Sequence, residues 1–255
     1  MEIFSDLENT GTLDQKCFLK SRTVKNAYHW KLVVGSNWKL KLDDEQMATC
    51  VRVEYGLPPV SVESMGPQCG LCRKFALTDP CHFMTCAKTR ADEIIKRHNQ
   101  VCSSFASACR ALGHHVTVEP KRLNADDAKR VDLDVTMRLK RFLADVTVRC
   151  STTKEPEAVF LVANREKERK YRSMAREEGC DFVPLAIDAF GGWSDGTEDF
   201  IQLLQKLGES RDSAVAAFQI TRALRQEISV AVHRFNGKAL ARGVRHSRAQ
   251  LRAGG

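Results

Sequence analysis

The sequence predicts an α/β fold, a mixed sheet flanked by helices, with a small metal-binding module on its N-terminal side. Three observations predict it. From Thr89 onward the apolar patterning runs helix, three strands, helix, strand, helices, the order expected when one sheet carries helices packed on it. A chain of 255 residues with 43% hydrophobic content can bury one substantial core and a small satellite. Finally, Cys69, Cys72, Cys81 and Cys86 fall within eighteen residues, whereas the other six of the ten cysteines are scattered. Clustering of that kind reads as metal binding rather than as a disulfide scaffold.

The elements follow in chain order. Residues 1–40 contain short mixed segments around "YHWKLVVGSNWKL" to which no element is assigned. Asp43 and Asp44 can cap a helix running through about Val53, ahead of Gly56 and the breaker "LPP". "PPVSVESMGP" reads as a linker into the cysteine cluster. From Thr89 to about Leu112, Ile94, Ile95, Val101, Phe105, Ala108 and Leu112 recur at helical spacing, and Gly113 stops the run. "HHVTVEP", "VDLDVTM" and "RFLADVTVRC" are strand-like. A charged helix spans about Glu157 to Glu178. "CDFVPLAIDAF" reads as a buried strand, "GGWSDGT" as a loop, and about 197–207 as a helix. A last helix, about 212–235, repeats Leu224, Ile228, Val232 and Phe235 along one face.

Composition bounds the function. The longest apolar run, "AVFLVA", is far short of the roughly 18 residues of a membrane span, so no membrane role is expected. The acidic start "MEIFSDLENTGTLDQK" lacks the basic and apolar regions of a secretory signal, and an intracellular protein is expected. The net charge of +8 is uneven: residues 205–255 carry 10 Lys and Arg against 3 Asp and Glu, while the rest is nearly balanced. A basic tail suggests a polyanionic partner, most often nucleic acid.

In "CGLCRKFALTDPCHFMTC" a C-x-x-C pair is followed, after nine intervening residues that end in Cys81, by His82 and, four positions beyond it, Cys86. C-x-x-C turns two thiolates onto one tetrahedral centre, and a loop through Pro80 can return the second pair to it. Cys69, Cys72, His82 and Cys86 are the preferred zinc ligands, with Cys81 a rival to His82.

Two strand-like runs each carry an aspartate where strands rarely have one. Alternation puts Val131, Leu133 and Val135 on one side and Asp132 and Asp134 on the other. In the next run Phe142, Ala144, Val146 and Val148 share a face, leaving Asp145 and Thr147 opposite. A hairpin turning near Arg138 to Lys140 sets Asp132 across from residue 145 or 147, with the carboxylates roughly 5 to 8 Å apart. Two crowded carboxylates need raised pKa values or a cation, and a hard ion such as Mg²⁺ suits them. "REKERKY" on the following helix offers Lys167, one turn before Tyr171, as a positive group. Glu119 of "VEP" is left out as a strand-end glutamate.

The cysteine pair, "CHFMTC", "RHN", "VEP", the aspartate of "VD" followed thirteen residues later by that of "ADVTV", K-x-x-K-Y and "FVPLAIDAFGGW" resemble the C-terminal part of the polyproteins of site-specific non-LTR retrotransposons. The likeness runs from about Leu57 to Asn236. In that family a CCHC zinc knuckle precedes a restriction-endonuclease-like domain of the PD-(D/E)XK class. The resemblance implies a metal-dependent endonuclease that nicks DNA so that the 3′ end can prime reverse transcription. It makes Asp132 the acid of the PD motif, Asp145 the second acid, and Lys167 the lysine that has moved from strand to helix. Mg²⁺ or Mn²⁺ is then the active-site cofactor, and Zn²⁺ a structural one. Val131 departs from the proline of PD. Thr147 stands where the wider nuclease class keeps lysine, a departure the retrotransposon domains share.

The division expected is residues 1–60, resembling the tail after a reverse transcriptase; 61–88, the zinc knuckle; 89–210, the endonuclease-like core; and 211–255, a basic helix and tail. DNA is the expected partner, with element RNA and a reverse transcriptase domain as further ones, and the nucleus is the expected location. The alternative function is a nucleic-acid-binding module that keeps the nuclease fold without cleavage.

Overall fold

The computed structural model describes residues 16, 19–21, 24–33, 40–55, 57, 69, 72, 73, 82, 84, 86, 88, 90–120, 130–150, 155–208 and 214–253. The linker 58–67 and Cys81 lie outside the described residues.

Helix α1, Asp44–Glu54, begins where expected because Asp43 accepts from the Gln46 amide while the Gln46 side chain returns to the Asp43 amide, a reciprocal cap. A π-helical turn, Arg90–Ile94, leads into α2, Ile95–Ala111, so the single regular helix expected from Thr89 starts with a widened turn. Then come β1, His115–Val118; β2, Leu133–Met137; β3, Lys140–Arg149; α3, Pro156–Glu177; β4, Asp181–Asp188; α4, Asp195–Gly208; and α5, Ala214–Ala253. Pro156 opens α3 at a position whose amide needs no partner, and Gly179, at φ +65°, ends it.

The four strands lie in the order β1-β2-β3-β4, antiparallel except for the parallel β3–β4 pair joined through α3. The sheet is therefore mixed and flanked by helices. Leu133, Val135, Met137, Phe142, Ala144, Val146, Leu185 and Ile187 share a core with Phe105, Phe200, Leu204, Leu224, Ile228 and Val232 from α2, α4 and α5. The opposite face meets α3 through Leu143, Tyr171 and Ala175.

Three details differ from expectation. Val131 packs with Leu143 and Tyr171, not with Leu133, because the chain bends at Asp132 before β2 begins and strand alternation does not yet hold. Strand β4 is buried only in its second half. It is the sheet edge, which is where Pro184, lacking an amide proton, can sit opposite Asp145. And α5 runs through Gly237 to Ala253 with Leu240 and Val244 buried, while Phe235 is only half-buried. No described helix is long and apolar enough to cross a membrane.

Candidate active site and metal cluster

The β2–β3 hairpin turns through Arg138 and Leu139, with Arg138 at φ +52°. The ladder ends at the pair Leu133 and Ala144, and Asp132, at the bend just before it, reaches across to β3 beside Asp145. Asp132 accepts from the Val146 amide at 2.6 Å and lies 3.1 Å from His98 Nε2. Asp145 is 3% exposed and forms an ion pair with Lys167, Nζ to Oδ2 2.6 Å. Apart from that ion pair, Oδ2 has no hydrogen-bond partner among the described residues. Burial, and next the Asp132 charge, push the Asp145 carboxyl above its usual range against the opposing pull of Lys167. Such a buried carboxylate, charge-coupled to a second one, matches the donor set of a divalent cation.

Lys167 and Tyr171 project from α3. The Tyr171 hydroxyl donates to the Arg130 carbonyl at 2.8 Å, and that contact, with burial against Phe182, locks the ring. Lys170 lies nearer the ring face than Lys167, at 4.6 Å against 6.0 Å. Burial, then Asp145, raise the Tyr171 phenol. Arg149 pairs with Glu166 rather than with either aspartate, and Asp134 is held in a two-pronged pair by Arg141.

An open cleft of about 340 Å³ adjoins these groups, lined in part by Arg97, His98, Thr147, Arg149 and Lys167. Four of the five are basic or can become so, which suits a phosphodiester backbone. Arg97 is buried and donates to Asn236 Oδ1 at 2.6 Å, and Asn236 in turn donates to the Ala189 carbonyl. Thr147 Oγ1 is buried with no hydrogen-bond partner among the described residues.

His98 is the residue that sequence reasoning did not select. Burial alone would lower its pKa, but the hydrogen bond and charge of Asp132, with Asp145 behind, outweigh it and the net shift is upward. The signal was in "RHNQVC", where His98 and Cys102 stand one helical turn apart; their meeting with Asp132 depends on how α2 crosses the sheet.

The donor atoms of Cys69, Cys72, His82 and Cys86 all lie within 4.8 Å of one another, with Cys72 Sγ to His82 Nε2 at 3.2 Å. Two sulfurs on one zinc stand just under 4 Å apart at bond lengths of about 2.3 Å, so four donors gathered this closely could hold such an ion. Cys69 and Cys86 are also packed with Val53, Ala189, Phe190 and Leu240, which seats the cluster against the end of β4 and against α5.

No family model matches the chain. Over 195 residues, 71% of the chain, it is 26% identical to the retrotransposable element SLACS 132 kDa protein of Trypanosoma brucei gambiense, and the match spans 16% of that protein's length. The chain is thus weakly homologous to a retrotransposon protein, and it carries a Cys/His cluster that could hold a metal such as zinc.

Proposed function

We propose that the chain is a metal-dependent DNA endonuclease domain of retrotransposon origin, built on a restriction-endonuclease-like core with a zinc knuckle beside it. The observation that carries this reading is the meeting of Asp132, Asp145 and Lys167 beside a basic cleft. Asp132 and Asp145 would hold Mg²⁺ or Mn²⁺, which supplies positive charge to the phosphate under attack. Lys167 orients the attacking water and offsets charge developing on the phosphate oxygens. Water adds to phosphorus and the 3′ oxygen departs, leaving an end that can prime synthesis. Arg149, exposed at the cleft, grips the backbone without reading bases, while buried Arg97 adds positive charge beneath it.

A second reading, a binding module without cleavage, draws support from Asp132 being engaged by both His98 and the Val146 amide. One experiment separates them. Asp132→Asn and Lys167→Ala should abolish Mg²⁺-dependent nicking of supercoiled DNA while affinity for DNA in EDTA stays within about threefold, and Lys170→Ala should still nick. Wild-type protein that binds DNA and never nicks it with Mg²⁺ or Mn²⁺ overturns the nuclease reading in favour of the binding module.

A further inference from the structure

Three unlike donors converge beside the carboxylate pair: Asp132 Oδ1, His98 Nε2 and Cys102 Sγ, all within 4.8 Å of one another. Cys102 is 4% exposed and follows His98 by one turn of α2, the same H-x-x-x-C spacing that His82 and Cys86 have. His98 Nε2 stands 3.1 Å from the aspartate oxygen and 3.5 Å from the sulfur. With zinc bonds of about 2.0–2.1 Å to nitrogen or oxygen and about 2.3 Å to sulfur, those separations subtend about 100° and about 107° at a shared ion. Both are close to tetrahedral.

We infer that His98, Cys102 and Asp132 form a second transition-metal site, of the Zn²⁺ class, with three protein ligands and an open fourth position. The donors favour that class over Mg²⁺, since imidazole and thiolate are poor partners for a hard ion and good ones for zinc or cobalt. His98 borders the open cleft, which gives water a path to the fourth position. Because Asp132 belongs to both donor sets, zinc here withdraws it from any ion it shares with Asp145. The inference goes beyond the nuclease reading and stands or falls without cleavage.

The test uses the full chain with its Cys69 cluster zinc-loaded, in buffer free of Mg²⁺ and DNA. Elemental analysis after zinc titration should find two zinc per chain in wild type and one in both His98→Ala and Cys102→Ala. The second zinc should weaken in each by more than about 100-fold, beyond the 10- to 100-fold that loss of an outer-sphere partner costs. Cobalt added to the zinc-loaded protein should give a near-ultraviolet sulfur-to-cobalt band that Cys102→Ser removes. Retention of the first zinc and an unchanged circular dichroism spectrum show that a variant is folded, and the serine variant serves if His98→Ala is not. Wild type that takes up one zinc only, or a second zinc indifferent to both residues, overturns the site. A protein that binds two zinc and never nicks DNA refutes only the nuclease reading.

Discussion

Asp145 is a carboxylate at the centre of a buried strand, and its surroundings leave it poorly stabilised. Burial and the Asp132 charge raise its pKa, so ionising it costs folding free energy: its contribution is most favourable below the unfolded-state value and is lost as pH rises through the folded one. A bound cation would reverse that. Glu198 shows the opposite design. Burial by itself would raise its carboxyl, but Arg225 at 2.5 Å, Trp193 Nε1 at 3.0 Å and Gln202 outweigh it and hold the group below its ordinary 4.5. Its stabilisation is therefore present above about pH 4.5 and lost as pH falls through the depressed value. Glu198→Gln should cost about 1–3 kcal/mol at pH 7, a gap that closes in acid, checked by urea unfolding across a pH series. A gap independent of pH would show that shape rather than charge is what Glu198 contributes.

At the scale of elements, the end of β4 is where most of the molecule meets. Ala189 and Phe190 pack against Cys69 and Cys86, Asn236 reaches the Ala189 carbonyl, and Trp193 turns back to bridge Ile187. The turn that allows this needs Gly191 at φ +83°, where a Cβ would come 2.8 Å from Ser229 Oγ and 2.9 Å from His233 Cε1. Gly191→Ala should therefore destabilise by about 2–4 kcal/mol, combining left-handed strain with overpacking, as read from the denaturant midpoint. The cysteine cluster should follow metal chemistry. Cys69→Ser should lose about one zinc per chain and loosen its neighbours Val53 and Phe190, detectable as faster amide exchange at α1 and 189–190. A chain purified with no metal and unchanged by the substitution would remove the zinc assignment. Spacing made this cluster and the periodic helices readable from the sequence, because ligand geometry and amphipathicity are local patterns. The bend at Asp132 and the edge placement of β4 were not readable, since each depends on which strand lies alongside.

For the molecule as a whole, the basic C-terminal segment is core on one side and exposed charge on the other. Leu224, Ile228, Val232, Leu240 and Val244 are core, so cutting the chain near Ser210 would remove part of the structure along with the charge. Lys238, Arg245 and Arg248 are exposed, at helical spacings that keep them on one side of α5, while Arg242 is tied to Asp92 at 2.8 Å. Changing Lys238, Arg245 and Arg248 together to Gln should leave folding intact and reduce the slope of log affinity for duplex DNA against log salt by up to about 2.7, three phosphate contacts at about 0.9 each. An unchanged slope would place the DNA contact elsewhere, with the cleft residues Arg97, Arg149 and Lys167 the next to vary.

The sequence by itself determined the α/β class, the element order, a Cys/His cluster at Cys69, Cys72, His82 and Cys86 that could hold a metal, and the aspartate pair Asp132 and Asp145, because each is written in short-range spacing; Lys167 was singled out by the family resemblance, since spacing alone reads it as one more lysine on a charged helix. Only the tertiary structure decided that α5 continues past Asn236 and Gly237, a pair that looks like a helix stop. There α1 approaches so closely that a Cβ on Gly237 would lie 3.2 Å from Gln46 Cα, and contact with a neighbour, not local preference, keeps the glycine helical. Only the tertiary structure brought His98 and Cys102 to Asp132 as well. Three residues from a helix and a strand entrance share one point only when the helix packs across the sheet at one angle, and that angle is set by side chains distributed over the whole core.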